Sequence, residues 1–207
     1  MKPIIISVGT LEAVLKMSTS PVDVKQYYPS YVNANSSVSI EQFRSIQESW
    51  QTIHSGEYAL FKEQTLVSDP VGFWGLQFYD VLFEIEPSLK PLFKNKFQQA
   101  KMLTEMINAA LNLLPGTFDE TLGEERLEID PKLIPVLQDL AKRHLQYQTK
   151  AKHYEPIGLA IVTTFDRMLG ARFDNDTKAA WVELWSLICS VMIPAHVEQA
   201  QQMEVEP

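Results

Sequence analysis

His144 closes an apolar helical stripe. Leu133, Leu137 and Leu140 recur at helical spacing, and His144 falls on the same face one turn after Leu140. An imidazole so placed points into apolar space rather than into water. It can satisfy itself on a backbone carbonyl as a core histidine, which is the commoner circumstance, or it can bind a metal. The metal reading requires the rest of the chain to supply a pocket. The single cysteine, Cys189, lies in an apolar helical run and has no disulfide partner, which reads as a buried thiol of a cytoplasmic protein. The eight glycines are scattered and form no phosphate-cradling loop.

The elements that must position His144 read as helices throughout. Ser39 and Gln42 form a capping-box pattern ahead of Phe43, Ile46, Trp50 and Ile53, which keep helical spacing. The stretch from His54 to Pro70 is irregular. A second helix spans about Val71 to Ile85, with Gly72, Gly75, Tyr79, Leu82 and Phe83 on one side, and ends before Pro87. Pro87 and Pro91 bracket a tight turn carrying Leu89, Leu92 and Phe93. A third helix spans about Lys96 to Leu114 and stops at Pro115-Gly116. An acidic stretch, Asp119 to Asp130, reads as a solvated loop leading to the His144 helix. Pro156 suits a first helical turn, Ile157, Ile161, Phe165 and Met168 form the next core stripe, and Gly170 ends it. Asp174-Asn175-Asp176 caps a last helix whose buried face is Trp181, Leu184, Trp185, Ile188 and Met192. No stretch alternates as a strand, so the expected fold class is all-α.

Composition bounds the partners. The chain of 207 residues is 45% apolar and 21% charged, as in ordinary globular proteins. A net charge of −8 argues against a nucleic-acid partner, because phosphate binding needs a basic face. No run of eighteen apolar residues is present, so no membrane span is expected. Met1 to Ile6 faintly suggests a signal peptide, but Glu12 and Lys16 interrupt the apolar stretch. Residues 1–38 read as a partly ordered N-terminal extension, with one short helix at Leu11, Val14 and Leu15 and a turn-rich tract from Pro21 to Ser37. Residues 39–198 read as the folded domain and 199–207 as a C-terminal tail.

The order of these elements, together with Phe78 to Phe93, with Arg143-His144, and with His153-Tyr154-Glu155-Pro156-Ile157-Gly158, resembles the globin family, in particular single-domain globins of the neuroglobin and flavohaemoglobin-like type. Leu169-Gly170, Phe173 and Ala180-Trp181 continue in the same order. The resemblance runs from about Ser39 to His196. It implies a 3-over-3 helical sandwich holding haem b, with His144 as the proximal iron ligand, Phe93 packed on the porphyrin face and Tyr79 on the distal side. The distal helix offers Gln98 or Gln99. With Gln99 inward the face reads Gln99, Leu103, Met106, Ala110. With Gln98 inward it reads Gln98, Met102, Glu105, Ala109, which would bury an unpaired carboxylate. The Gln99 register also pairs Ala100 with Gly75 at a close helix crossing.

What the resemblance implies about function follows from those residues. A tyrosine hydroxyl and a glutamine amide facing the iron favour dioxygen over carbon monoxide and slow its release. No histidine stands between Phe93 and Leu114, so an internal sixth ligand is not expected, Lys101 and Met102 being the alternatives if the helix rotated. Tyr154 matches a tyrosine that flavohaemoglobins place near the proximal histidine. Their accompanying glutamate is replaced here, His196 being the nearest counterpart, which puts peroxidase-like chemistry in doubt. The reading is reversible binding of dioxygen and other diatomic gases such as NO and CO, by a monomer or homodimer. The competing readings are a gas or redox sensor signalling through residues 1–38, an NO dioxygenase or nitrite reductase served by a separate reductase, and a haem-free helical regulator.

Overall fold

Proline and side-chain caps set where the helices of this chain begin and end. A computed structural model describes residues 24–32, 38–112, 116–119, 124–127 and 132–205. After a 3-10 turn at Val24–Tyr27, α1 spans Ile40–Ser55 and buries Phe43, Ile46, Trp50 and Ile53, as their spacing predicts. The irregular stretch that follows holds one helical turn, α2 (Ala59–Lys62). Helix α3 (Pro70–Ile85) opens on Asp69, whose Oδ1 accepts the Val71 N–H at 3.1 Å, with Pro70 in the first turn where its missing N–H costs nothing. Pro87–Leu92 is a 3-10 turn, fastened at its start by the Glu86 carboxylate, which accepts from the Ser88 N–H and Oγ. Helix α4 spans Lys96–Asn112.

The stretch expected as a solvated loop holds a short hairpin instead. Strands β1 (Gly116–Asp119) and β2 (Glu124–Leu127) pair antiparallel with Gly116 opposite Leu127 and Asp119 opposite Glu124. Its four-residue strands are too short, and too charged in β2, for periodicity to reveal. Pro115 and much of the acidic stretch lie outside the described residues. Helix α5 (Leu133–Gln146) carries His144, and α6 (Tyr154–Leu169) follows a 3-10 turn at Ala151–His153. Gly170 ends α6 in the left-handed region at φ 53°, which a side chain would strain. Helix α7 (Asn175–Val205) starts on Asp174, whose Oδ1 accepts the Thr177 N–H at 2.8 Å. It runs on through 199–205, so the expected tail is helical up to Val205.

α7 is buried on more than the expected face. Leu187, Cys189, Val191 and Ile193 are covered as well as Trp181, Leu184, Trp185, Ile188 and Met192. Its stretch Asn175–Glu204 is long and apolar enough to cross a membrane by length and composition, yet 89% of the apolar window is buried within the protein, as in a core helix.

Two compact units divide the chain. One is formed by Glu41–Asn112 and Pro156–Val182. Its core is aromatic: Trp50 meets Trp74 edge-on at 5.2 Å, and Phe165 lies 5.0 Å from Trp74, 5.3 Å from Phe173 and 4.3 Å from Trp181. The indoles of Trp50 and Trp181 donate to Asn108 Oδ1 and Ser49 Oγ at 2.7 and 2.9 Å. Within this unit α3 and α4 cross where a Cβ on Gly75 would stand 3.0 Å from the Ala100 Cβ and 3.2 Å from its carbonyl oxygen. That is the Gly75–Ala100 crossing the sequence predicts. Gly75→Val should therefore force the helices apart and cost about 1–3 kcal/mol, read as a lower denaturation midpoint. Unchanged stability would show the crossing to be loose.

The other unit comprises the described residues of Met1–Ile40, Leu113–Glu155 and Glu183–Pro207. Here part of the extension is fastened: Pro29 is buried, Ser30 Oγ donates to Glu155 Oε1 at 2.9 Å, and Tyr31 Oη donates to the Glu155 carbonyl at 2.6 Å. The short helix expected at Leu11, Val14 and Leu15, and the leader-like Met1 to Ile6, lie outside the described residues.

Candidate functional site

The residues singled out from the sequence fall into two groups, one in each unit. The first begins with Tyr79, buried near the middle of α3. Its ring lies 5.0 Å edge-on to Phe78, 5.9 Å from Phe83 and 5.1 Å from Phe93, and the last two lie 5.7 Å apart. Phe93 is delivered to this cluster by the proline-bounded turn, its N–H donating to the Lys90 carbonyl at 3.2 Å. The Tyr79 hydroxyl has no hydrogen-bond partner among the described residues, and burial pushes its pKa well above the ordinary phenol value. It therefore remains a proton donor at any physiological pH.

Helix α4 supplies the rest of this group. Asn95 sets its register, the side-chain oxygen accepting the Gln98 N–H and the carbonyl accepting the Gln99 N–H, both at 3.1 Å. Gln98, Met102, Glu105 and Ala109 are exposed, whereas Gln99, Leu103 and Met106 are half-buried and Ala110 is buried. The burial pattern thus follows the Gln99 register, keeping the Glu105 carboxylate in water. Gln99 Oε1 is buried without a partner. Lys101 lies at the surface with its Nζ 3.8 Å from Glu105, and Met102 is 55% exposed, so neither reaches inward.

The second group surrounds His144. Leu133 and Leu137 are buried as expected, but the third buried position of α5 is Ala141, with Leu140 and His144 half-buried on its flank. The fully covered row runs at intervals of four, and His144 belongs to the row beside it. His144 Nδ1 lies 2.7 Å from the Leu140 carbonyl one turn back. Since a carbonyl can only accept, Nδ1 carries the proton and Nε2 keeps a lone pair, with no partner among the described residues. Desolvation holds the ring's pKa below the usual histidine value against the opposing pull of the Leu140 bond, with a smaller contribution from Arg143. A neutral Nδ1–H imidazole with a free Nε2 is the form that binds metal.

Beside it, Tyr154 and His196 are both buried, their rings edge-to-face at 5.8 Å. Tyr154 Oη and His196 Nδ1 are buried without hydrogen-bond partners among the described residues. Desolvation first, then the neighbouring His144 and His153, lower the His196 pKa to about 4 against the opposing pull of the Thr149 backbone. The consequence for stability has a definite sign. Above pH 6.5 the ring is neutral whether folded or not; between 6.5 and about 4 the unfolded chain binds a proton that the folded chain refuses. The stability of the haem-free protein should therefore fall as pH drops through that window, and fall less steeply in His196→Gln. Equal slopes would show that other groups carry the acid limb.

Thr149, whose N–H and Oγ1 both donate to the His144 carbonyl at 3.3 and 2.6 Å, was not visible as a site residue from the sequence, because nothing about a threonine three residues past a helix end signals that it closes back on that helix. The Leu140 carbonyl, by contrast, follows from helical spacing. Among the described residues no group of three or more His, Cys, Asp or Glu side chains could hold a metal ion. His144 Nε2 thus offers one imidazole lone pair, with no cluster of further ligands around it among the described residues, which suits an iron that would arrive already held in a macrocycle.

Comparison with known proteins agrees with this chemistry. The family model described as Globin matches residues 76–192. A flavohemoprotein of Chromobacterium violaceum is 27% identical over 117 residues, which cover 56% of this chain and 26% of that protein. One of Bacillus cereus is 24% identical over 130 residues, covering 61% of this chain and 29% of its own length. The chain thus spans just over a quarter of the length of these curated relatives. A solved structure of a bacterial globin from Campylobacter jejuni superimposes with a TM-score of 0.55 at 16% identity, over 78% of this chain and 98% of that one.

Proposed function

The chain belongs to the globin family, with its all-α fold and its capacity to bind haem and diatomic gases, and from that premise we propose that it holds haem b through His144 Nε2 and binds dioxygen reversibly beside Tyr79 and Gln99. The observation that carries this reading is the state of His144: neutral, with Nδ1–H spent on the Leu140 carbonyl and Nε2 unpartnered. When bound, haem would supply an iron able to take up a diatomic gas. The chain's own residues do the rest. The Leu140 bond fixes the tautomer and the tilt of the imidazole. Phe93 and Leu103 offer apolar surface to the macrocycle, and Tyr154 backs the proximal side. In this reading the Tyr79 hydroxyl and the Gln99 amide N–H serve as donors to the charge that a polarised dioxygen develops and carbon monoxide does not; the Tyr79 hydroxyl has no hydrogen-bond partner among the described residues. The same donors serve NO.

The reading is tested by titrating haem into the purified chain and recording the ferric, reduced and carbon-monoxide spectra. An intense Soret band with a broad single visible band on reduction supports an axial histidine and a vacant sixth position. Two sharp visible bands on reduction would mean an internal sixth ligand and would sink the roles given to Tyr79 and Gln99. A second reading, a sensor in the cytoplasm signalling to a partner through residues 1–38, is favoured by one contact: Tyr31 and Ser30 are bonded to Glu155, the neighbour of Tyr154. A partner profile indifferent to haem ligands would count against it.

A further inference from the structure

Residues 87–104 carry four lysines and no acidic residue, in a chain whose net charge is −8. Lys90, Lys94 and Lys101 are exposed, and Lys90 and Lys94 form no ion pair among the described residues. Lys96 is paired with Asp80, and Lys101 stands 3.8 Å from Glu105 with both side chains in water. Helix stability does not explain this basic run. It leads into the N-terminus of α4, whose dipole disfavours positive charge and whose first turn holds no acid. Among the lysines Phe97 is 70% exposed, with Lys94 three residues before it and Lys101 one turn after. A bare aromatic flanked by like charges has the composition of a docking anchor. The ring supplies area for a partner to bury, and the charges steer the approach and fix its orientation. Lys94 follows Phe93 and Phe97 precedes Gln99 by two positions, so the patch adjoins the distal group within one unit.

We propose that Lys90, Lys94, Lys101 and Phe97 form the docking surface for an acidic protein that carries single electrons. The proposal rests on the haem reading above, because ferric haem regains its affinity for dioxygen by accepting an electron from outside. One electron leaves the carrier's reduced centre and converts ferric iron to ferrous. The occupant is a protein rather than a bilayer because the attraction is local. With a Debye length of about 8 Å at physiological salt, a docked protein meets the lysines while acidic surface elsewhere is screened. A bilayer needs a broad apolar helix face, and the exposed face of α4 is Gln98, Met102, Glu105 and Ala109.

The test uses flavodoxin, an acidic one-electron flavoprotein, as the probe and the full, haem-loaded ferric chain as the target. The dissociation constant is measured by calorimetry at low and at near-physiological ionic strength, and reduction of the chain by stopped flow. Binding should weaken with salt, and at low salt it should weaken about tenfold in Lys94→Glu/Lys101→Glu. Phe97→Ser should weaken binding without changing its salt dependence. Lys142→Glu/Lys152→Glu, an equal change of net charge at exposed positions in the other unit, should bind within about twofold of the wild type. Lumiflavin, a small uncharged reductant, should reduce all four proteins alike. Salt-independent binding, or equal losses in the two double variants, would overturn the proposal. So would slower reduction by lumiflavin in the patch variants, which would make the lysines part of the haem site. Adsorption to phosphatidylserine vesicles that is lost in Lys94→Glu/Lys101→Glu, with flavodoxin binding unmoved, would assign the patch to a membrane and overturn it too. If that double variant does not fold, Lys90→Glu and Phe97→Ser decide the question in the same way. A wild-type chain with no Soret band after haem titration ends the haem reading, and this proposal with it. A normal Soret band without flavodoxin binding overturns this proposal alone.

Discussion

His144→Ala should abolish the specific Soret band, weakening haem binding by at least about a hundredfold, equivalent to about 2.7 kcal/mol. The effect should not be one of unfolding. His144 is half-buried near the end of α5, its side chain bonds only its own helix, and alanine is the better helix former. The circular dichroism of the haem-free variant should match that of the wild type. A smaller substitution offers a sharper check. In His144→Gly, added imidazole should restore a five-coordinate spectrum, because the apolar surroundings that hold the ring neutral remain in place. A Soret band of wild-type intensity in His144→Ala, without added imidazole, would return His144 to the status of a core histidine satisfied on the Leu140 carbonyl.

Tyr79→Phe should accelerate oxygen dissociation from the ferrous, haem-loaded chain by about ten- to a hundredfold, the kinetic equivalent of losing one hydrogen bond of about 1–3 kcal/mol in a desolvated site. The substitution leaves the ring and its contacts with Phe78, Phe83 and Phe93 intact. It also removes a buried hydroxyl that has no hydrogen-bond partner among the described residues, so fold stability should hold or rise slightly. Gln99→Leu should act in the same direction, while Gln98→Leu, on the exposed face of α4, should change nothing. Carbon monoxide, nearly apolar, should leave at similar rates in all four proteins. Stopped-flow displacement of oxygen by carbon monoxide separates these cases. An unchanged rate in Tyr79→Phe would show that the hydroxyl does not reach the bound gas, and a rise in Gln98→Leu would reverse the register of α4.

Helices and their limits were legible because their causes are local. Apolar residues at helical spacing, Asp174 as a cap, Pro87 and Gly170 act within a turn or two of themselves, and each stands where its chemistry predicts, whereas Asp69 and Pro70, which open α3, sit in a stretch that reads as irregular. The close crossing of α3 and α4 was legible for a related reason: small residues at 75 and 100 permit it, and the same register keeps Glu105 in water. What carries no local signal was read less well. The hairpin of β1 and β2 depends on pairing between two four-residue segments, and the complete burial of α7 depends on what surrounds it rather than on its own periodicity.

The sequence by itself determined the family and the all-α class, and it put forward His144, Tyr79 and Gln99 as candidates, because helix periodicity, capping and the rarity of histidine are properties of the chain in one dimension. Only the tertiary structure decided that His144 sits on the flank of its stripe with Nε2 unpartnered among the described residues, and that Tyr31 and Ser30 bind Glu155. Such bonds join residues tens of positions apart. Their donors and acceptors include backbone carbonyls, which every residue possesses and no sequence pattern marks.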